Sequence, residues 1–245
     1  MTLRGISLRD LDERAPLLRR VDVKYLLPER DFGALLSALA DDHDVLEIDG
    51  RRRFAYRSRY FDTADLRCFW DHVHGRKPRF KARTRCYLDS GECQFEVKLK
   101  TAGETDKRQV PHPPDADERV TPAARALLDE TLEAAGISPV GELAPVLCTL
   151  FDRITLAARE GDARLTCDFE LRLLRPDGGG ARLDEELVLV ETKSEDGRSR
   201  ADAALAELGV EPLSLSKYRT GIDLLVERDP TPSAAGRRRH FVTNE

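Results

Sequence analysis

The sequence predicts an α+β fold, a single antiparallel β domain with peripheral helices, and three observations carry that expectation. Segments rich in Tyr, Phe and Arg alternate with a period of two, as at Arg53–Asp62, Arg79–Leu88 and Glu92–Lys100. Turn signals join neighbouring segments, above all Asp89-Ser90-Gly91, which makes an antiparallel hairpin of the second and third. Helical spacing is confined to short stretches between and after these segments.

In chain order, Val21–Leu27 predicts a strand, and a helix follows from Pro28 or Glu29 with Phe32, Leu35, Leu36 and Leu39 on one side. After the hairpin, Lys107–Val110 predicts a short strand and Pro111–Asp117 a loop. Thr121-Pro122 has the N-cap and N1-proline pattern of a helix start, and Gly136 ends that helix. Val146–Arg159, Ala163–Leu174 and Arg182–Lys193 predict a strand meander with turns at Glu160-Gly161-Asp162 and Pro176–Gly180. Ser199–Leu208 is a capped helix closing at Gly209, and Ser216 caps the last helix, Lys217–Val226. No repeat or composition break divides the chain. The expected organisation is an N-terminal extension over 1–19, one domain over 20–227, and a disordered tail over 228–245, rich in Pro, Ser, Ala and Arg.

Composition sets bounds on function. At 245 residues the chain can bury a core without disulfide staples. No apolar run approaches 18 residues, so no membrane span is expected. The mixed-charge N-terminus lacks the apolar stretch of a secretory signal. Five cysteines, Cys68, Cys86, Cys93, Cys148 and Cys167, are odd in number and lack C-x-x-C spacing. That argues against a disulfide framework and a zinc site, and makes a reducing cytoplasm the default.

The net charge of −5 conceals a strong asymmetry. From Arg51 to Arg108 there are 16 basic and eight acidic residues, or +8, which leaves −13 for the remainder. A basic segment within an acidic chain points to a local anion site, not to general adhesion to nucleic acid or membrane. Within it, Lys81, Arg83 and Arg85 are spaced by two, so they share a strand face. Glu96, Lys98 and Lys100 do the same on the hairpin partner, and Glu191 and Lys193 repeat the pattern later. The intervening Phe80, Ala82, Phe95, Val97, Leu99, Leu189 and Val190 suit an apolar face. In an ordinary sheet the polar face is simply solvated. In a closed barrel it would line the lumen, and such a concentration of cations would suit a polyphosphate with a divalent metal.

The same residues resemble a known family. Arg20-Val-Asp22-Val-Lys24-Tyr25, Ser58-Arg-Tyr60-Phe61-Asp62-Thr63, Arg83-Thr-Arg85-Cys-Tyr87 and Phe95-Glu96-Val-Lys98-Leu-Lys100 resemble, in order, blocks of the VTC domain. Asp106-Lys107-Arg108, Arg153, Arg164-Leu-Thr166-Cys-Asp168, Glu191-Thr-Lys193 and Ser216-Lys217-Tyr218 continue the resemblance. This family is the polyphosphate-polymerase-like branch of the triphosphate tunnel metalloenzymes, within the wider CYTH-like superfamily. The resemblance implies an eight-stranded antiparallel barrel, a tunnel with basic walls that takes ATP, polyphosphate, pyrophosphate or triphosphate, and Mn²⁺ or Mg²⁺ held by glutamate. Carried over by position, Lys24, Arg83, Arg85, Lys98, Lys107, Arg153, Arg164, Lys193 and Lys217 would contact phosphates. Lys100 and Ser216 would be accessory binding residues, and Ser216 has the competing role of helix cap. Glu191 would be the main metal ligand, with Glu96 the second candidate.

Hydrolytic CYTH relatives open with E-x-E-x-K, whereas the triplet here is Arg20, Asp22 and Lys24. Replacing the first carboxylate by a cation weakens a site for orienting water and favours transfer to a phosphate chain, which needs no general base. The expected function is ATP-dependent polyphosphate synthesis. Inorganic or nucleoside triphosphatase and a non-catalytic polyphosphate sensor are the alternatives. No nucleic-acid partner is expected, and no protein partner can be named. His72 and His74 share spacing but lack a third metal ligand. Gly178-Gly179-Gly180 is a hairpin loop, since no Lys-Ser/Thr follows it. Arg237–Arg239 belongs to the solvated tail.

Overall fold

The computed structural model describes residues 3–14, 21–102, 105–226, 236 and 238–244. Its strands are β1 (Arg4–Ile6), β2 (Val21–Pro28), β3 (His43–Leu46), β4 (Phe54–Asp62), β5 (Arg79–Tyr87), β6 (Glu92–Lys100), β7 (Thr105–Pro111), β8 (Ala144–Ala158), β9 (Arg164–Leu174), β10 (Gly180–Leu183), β11 (Leu187–Ser194) and β12 (Phe241–Asn244). Six α-helices are described: α1 (Leu8–Arg14), α2 (Phe32–Leu39), α3 (Arg67–Val73), α4 (Pro122–Ala134), α5 (Arg200–Glu207) and α6 (Lys217–Leu225). The fold is α+β with a large, mainly antiparallel sheet; β1 and β3 pair in parallel.

Eight of the strands pair in the order β2-β11-β9-β8-β4-β5-β6-β7, but among the described residues no ladder joins β2 to β7. The hydrogen bonds therefore form an open ladder, not the expected eight-stranded barrel. Alternation assigns each side chain to a face, and that assignment is identical in an open and a closed sheet. The segment expected as one strand over Arg182–Lys193 is two, β10 and β11, which pair with different stretches of β9. Asp184 interrupts it, its carboxylate accepting from the Glu186 amide and its carbonyl from the Leu187 amide.

The chain folds into two compact units, each interleaved along the sequence. The first comprises residues 1–54, 151–171 and 183–215; the second comprises 55–150, 172–182 and 216–245. Three separate segments build each unit, so no composition break could mark a boundary.

In the first unit, α2 and α5 cover the apolar face of β2, β11 and β9. Leu27, Leu35, Leu39, Leu165, Cys167, Val188, Val190 and Leu205 form its core. Residues expected in an N-terminal extension belong to this unit: β1 pairs with β3, and Leu11 of α1 packs with Ile6, Leu46 and Ala157. A buried carboxylate ties these pieces together. Asp44, with no exposed surface, takes Arg14 at 2.9 Å, Arg159 at 2.8 Å and Arg4 at 3.2 Å. Burial by itself would raise the Asp44 pKa, but Arg14, Arg159 and Arg4 more than offset it and hold the carboxyl below its ordinary range.

In the second unit, alternation is complete along β5. Phe80, Ala82, Thr84 and Cys86 are buried, while Arg79, Lys81, Arg83, Arg85 and Tyr87 are half-buried on the other face. Phe95, Val97 and Leu99 of β6 join the apolar side, where α4 contributes Leu128 and Leu132. Thr121 caps α4 by accepting from the Ala124 amide, as the sequence predicts. Gly221 lets α6 approach Leu147 so closely that a Cβ there would overlap the leucine side chain. Two corrections arise here. Cys86 and Cys93 stand opposite each other in the β5–β6 hairpin, Cα atoms 4.1 Å apart, and are joined as a disulfide, which cysteine counting had argued against. Cross-strand register, not spacing in a motif, brings them together. Phe241–Asn244, expected within a disordered tail, forms β12 beside β10. Val242 and Thr243 are β-branched and Phe241 is buried, which outweighs the polar composition upstream.

Asp44→Asn is expected to lower unfolding free energy by about 2 kcal/mol, since a buried carboxylate loses its charge-assisted bonds to Arg4, Arg14 and Arg159. Because the Asp44 pKa is depressed, its contribution is present above the ordinary carboxylate pKa and is lost as pH falls through the lowered value. Urea titrations at neutral and acid pH should therefore show the two proteins converging at low pH; a neutral-pH difference under about 0.5 kcal/mol would refute this role.

Candidate functional site

The register of β2, β11 and β9 converts the spacing-by-two into a grid. Lys24, Glu191 and Thr166 form one cross-strand row; Asp22, Lys193 and Arg164 form the next; Leu26, Leu189 and Asp168 form a third. Glu191 occupies the centre. Its Oε1 is 2.8 Å from Lys24 Nζ, and its Oε2 accepts from Lys193 Nζ at 2.7 Å. Lys193 also donates to Thr166 Oγ1 at 3.4 Å. Burial opposes the charge on Glu191, yet Lys193 and Lys24 together hold its carboxyl well below the usual range. The Lys193 pKa is lowered too, because burial lowers it more than Glu191 restores it.

Arg153 of β8 is buried and gripped in a fork by Asp168, at 2.6 Å through Nε and 2.9 Å through Nη2. Arg164 donates to the Leu11 carbonyl at 3.2 Å and to Asp12 at 3.3 Å. Both arginines, expected to contact phosphates, thus also hold the unit together. Behind the grid, Asp202 of α5 accepts from Tyr25 at 2.7 Å, from Thr192 at 2.5 Å and from Ser199. Tyr25 and Thr192 follow Lys24 and Glu191 directly, so this carboxylate fixes the backbone that carries them.

The second unit carries a denser grid. Lys81, Lys98 and Lys107 form one row across β5, β6 and β7. Tyr60, Arg83, Glu96 and Gln109 form the next, and Ser58, Arg85 and Gln94 the one beyond. Three of these cations share one carboxylate. Glu96 is 2% exposed and meets Arg83 at 2.6 Å, Lys107 at 3.5 Å and Arg85 at 3.9 Å. Against the burial that would raise it, these three cations hold the Glu96 carboxyl far below the usual range. Burial lowers the Lys107 pKa despite Glu96. Tyr60 accepts from Arg83 through its hydroxyl at 3.0 Å.

Helix α6 meets the edge of this grid. Ser216 caps the helix, accepting from the Arg219 amide at 3.3 Å, and also accepts from Lys81 Nζ at 3.1 Å. Tyr218 donates to Asp62, whose carboxylate also accepts from the amides of Cys68 and Phe69 at the start of α3. Tyr218 stacks beside Tyr60 with ring centroids 5.2 Å apart, and Lys81 lies 5.5 Å from its ring centre. The blocks Ser58–Thr63 and Ser216–Tyr218 are therefore joined in space. Lys81 gained no role from the family resemblance, and the signal that finds it is register: it stands opposite Lys98. Lys100 lies one row further, opposite Arg79, and Lys217 begins α6.

With these grids in view, the comparison with known families is decisive. The VTC domain family model matches residues 19–226. The chain belongs to the VTC domain family. Among solved structures, a candidate adenylyl cyclase from Hippeastrum, titled for a dominant triphosphatase activity, is similar at 15% identity and a TM-score of 0.51, covering 85% of this chain and 98% of its own. A candidate adenylate cyclase from Bacillus halodurans is similar at 16% identity and a TM-score of 0.50, with coverage of 85% and 98%. These likenesses establish the fold. No curated protein sequence matches the chain.

The donors of this VTC domain can be tested against the metal that the resemblance implies. Among the described residues, no three His, Cys, Asp or Glu side chains come together as a metal site. Glu191 engages both oxygens with ammonium groups, and Glu96 is enclosed by three cations. A protein cage for a metal is absent from this set. The half-buried Glu191 fits an ion that brings most of its ligands on phosphate oxygens, as Mg²⁺ does. Glu96 fits the role of counter-ion to Arg83, Arg85 and Lys107.

Glu96→Gln discriminates between the two roles. As a counter-ion, its removal should lower unfolding free energy by about 3 kcal/mol and tighten tripolyphosphate binding, because the cations lose their competing anion. Denaturant titration and calorimetry in EDTA read both effects; weaker metal-free binding would contradict the counter-ion role.

Proposed function

We propose that this VTC domain is an ATP-dependent polyphosphate polymerase. A terminal oxygen of the phosphate chain attacks the γ-phosphorus of ATP, the bond to the β–γ bridging oxygen breaks, and ADP leaves. Phosphoryl transfer of this kind needs positioning and charge neutralisation, with little covalent chemistry from the protein. Each unit by itself presents such cations, Lys24 and Lys193 beside Glu191 in the first and Arg83, Arg85 and Lys107 beside Glu96 in the second. A bound Mn²⁺ or Mg²⁺ would neutralise phosphate oxygens further, with Glu191 as its protein ligand.

The observation that carries polymerase over hydrolase is the state of the carboxylates. Glu191, Glu96 and Asp168 on these faces are each engaged by cations. A carboxylate so stabilised is a poor base for deprotonating water, whereas an ionised phosphate end needs none. Arg20, the other departure from the hydrolytic pattern, lies outside the described residues. The triphosphatase reading draws on the CYTH-like resemblance and on the likeness to the Hippeastrum protein, described as having a dominant triphosphatase activity.

The test is the purified protein with ATP and Mn²⁺, assayed together for ADP, free phosphate and polyphosphate, beside Glu191→Ala. Polymerase activity should release ADP matched by phosphate in long chains, with loss of at least about tenfold in the variant. ADP matched by free phosphate would make the protein a triphosphatase. Tight polyphosphate binding without turnover in either protein would make it a sensor.

A further inference from the structure

On the basic face of β4 and β5, one row carries buried polar atoms with no hydrogen-bond partner among the described residues. Ser58 is 1% exposed, and its hydroxyl has no hydrogen-bond partner among the described residues. Opposite it in register stands Arg85, whose buried Nε also has none. Arg85 reaches Glu96 only at 3.9 Å through Nη1, beyond hydrogen-bond distance. One row along, Tyr60 and Arg83 are bonded hydroxyl to guanidinium, so this face of β4 is turned toward the arginines. Buried hydroxyls and guanidinium N–H groups are costly to leave unpaired, and two such orphans in one cross-strand pair call for an occupant.

We propose that Ser58 Oγ and Arg85 Nε jointly donate to one non-bridging phosphoryl oxygen of the phosphate chain. The inference rests on the phosphate-handling reading above and adds a neutral donor to a set of charged ones. The guanidinium only donates and the hydroxyl can donate beside it, so the pair suits an oxyanion. The hydroxyl also supplies directional recognition that the flexible lysines two rows away lack. Ser58 is then a phosphate-binding residue whose orphaned state in the free protein is the cost of its function.

That last property gives the test a distinctive sign. A serine held for structure loses stability on truncation, whereas an orphaned hydroxyl held for a ligand does not. Thermal unfolding without ligand and calorimetric titration with tripolyphosphate in EDTA are measured for wild type, Ser58→Ala and Ser58→Thr. Ser58→Ala should unfold at the same temperature as wild type or higher, yet bind tripolyphosphate about five- to tenfold more weakly. Ser58→Thr, which keeps the hydroxyl, should recover most of the affinity. Equal affinity in wild type and Ser58→Ala would overturn the proposal. A lowered unfolding temperature in Ser58→Ala would assign the residue to structure. Wild-type protein that fails to bind tripolyphosphate would instead remove the phosphate reading itself, and this inference with it.

Discussion

The constraint on which the rest depends is electrostatic: cations gathered on strand faces must be held together against their own repulsion. Two unit charges about 5 Å apart at an effective dielectric near 20 repel by about 3 kcal/mol. The row Lys81, Lys98 and Lys107 alone contains two such adjacent pairs. Each unit answers with one centrally placed glutamate. Glu191 bridges Lys24 and Lys193, and Glu96 gathers Arg83, Arg85 and Lys107. In the second unit Lys81 is held separately, by Ser216 at the head of α6.

The surrounding architecture serves to hold these strands in register. Apolar residues alternate with the charged ones and bury under helices, so the charged face cannot rotate away without exposing Phe80, Ala82, Phe95 and Val97. Aspartates on helices or strand ends then lock the backbone beside each functional residue. Asp202 ties α5 to the strands carrying Lys24 and Glu191, and Asp62 ties Tyr218 of α6 to the start of α3. Lys81 takes its ammonium position from Ser216 at the head of that same helix.

Much of this was legible in the sequence because period-two alternation is local. The hairpin of β5 and β6, the faces of Lys81, Arg83 and Arg85, the caps Thr121, Ser199 and Ser216, and the family all follow from residues close together in the chain. What required the structure is non-local. Pairing of β11 with both β2 and β9 decides that Glu191 lies between Lys24 and Lys193. Register across β5 to β7 decides that Glu96 answers three cations and fits a counter-ion more than a metal ligand. The Cys86–Cys93 bond, β12, and the division of Arg182–Lys193 into two strands depend likewise on partners distant in sequence or on a single interrupting aspartate. Among the described residues, no helix is long and apolar enough to cross a membrane.

The proposed function requires that the folded chain bind a linear polyphosphate through its cationic strand faces. The most direct measurement is the unfolding temperature of the full chain against tripolyphosphate concentration, compared with sodium chloride at matched ionic strength. Binding to the folded state alone should raise stability by about 2.7 kcal/mol at a hundredfold excess over Kd, saturably and far beyond the effect of salt. A shift no larger than that of the salt control would contradict the account.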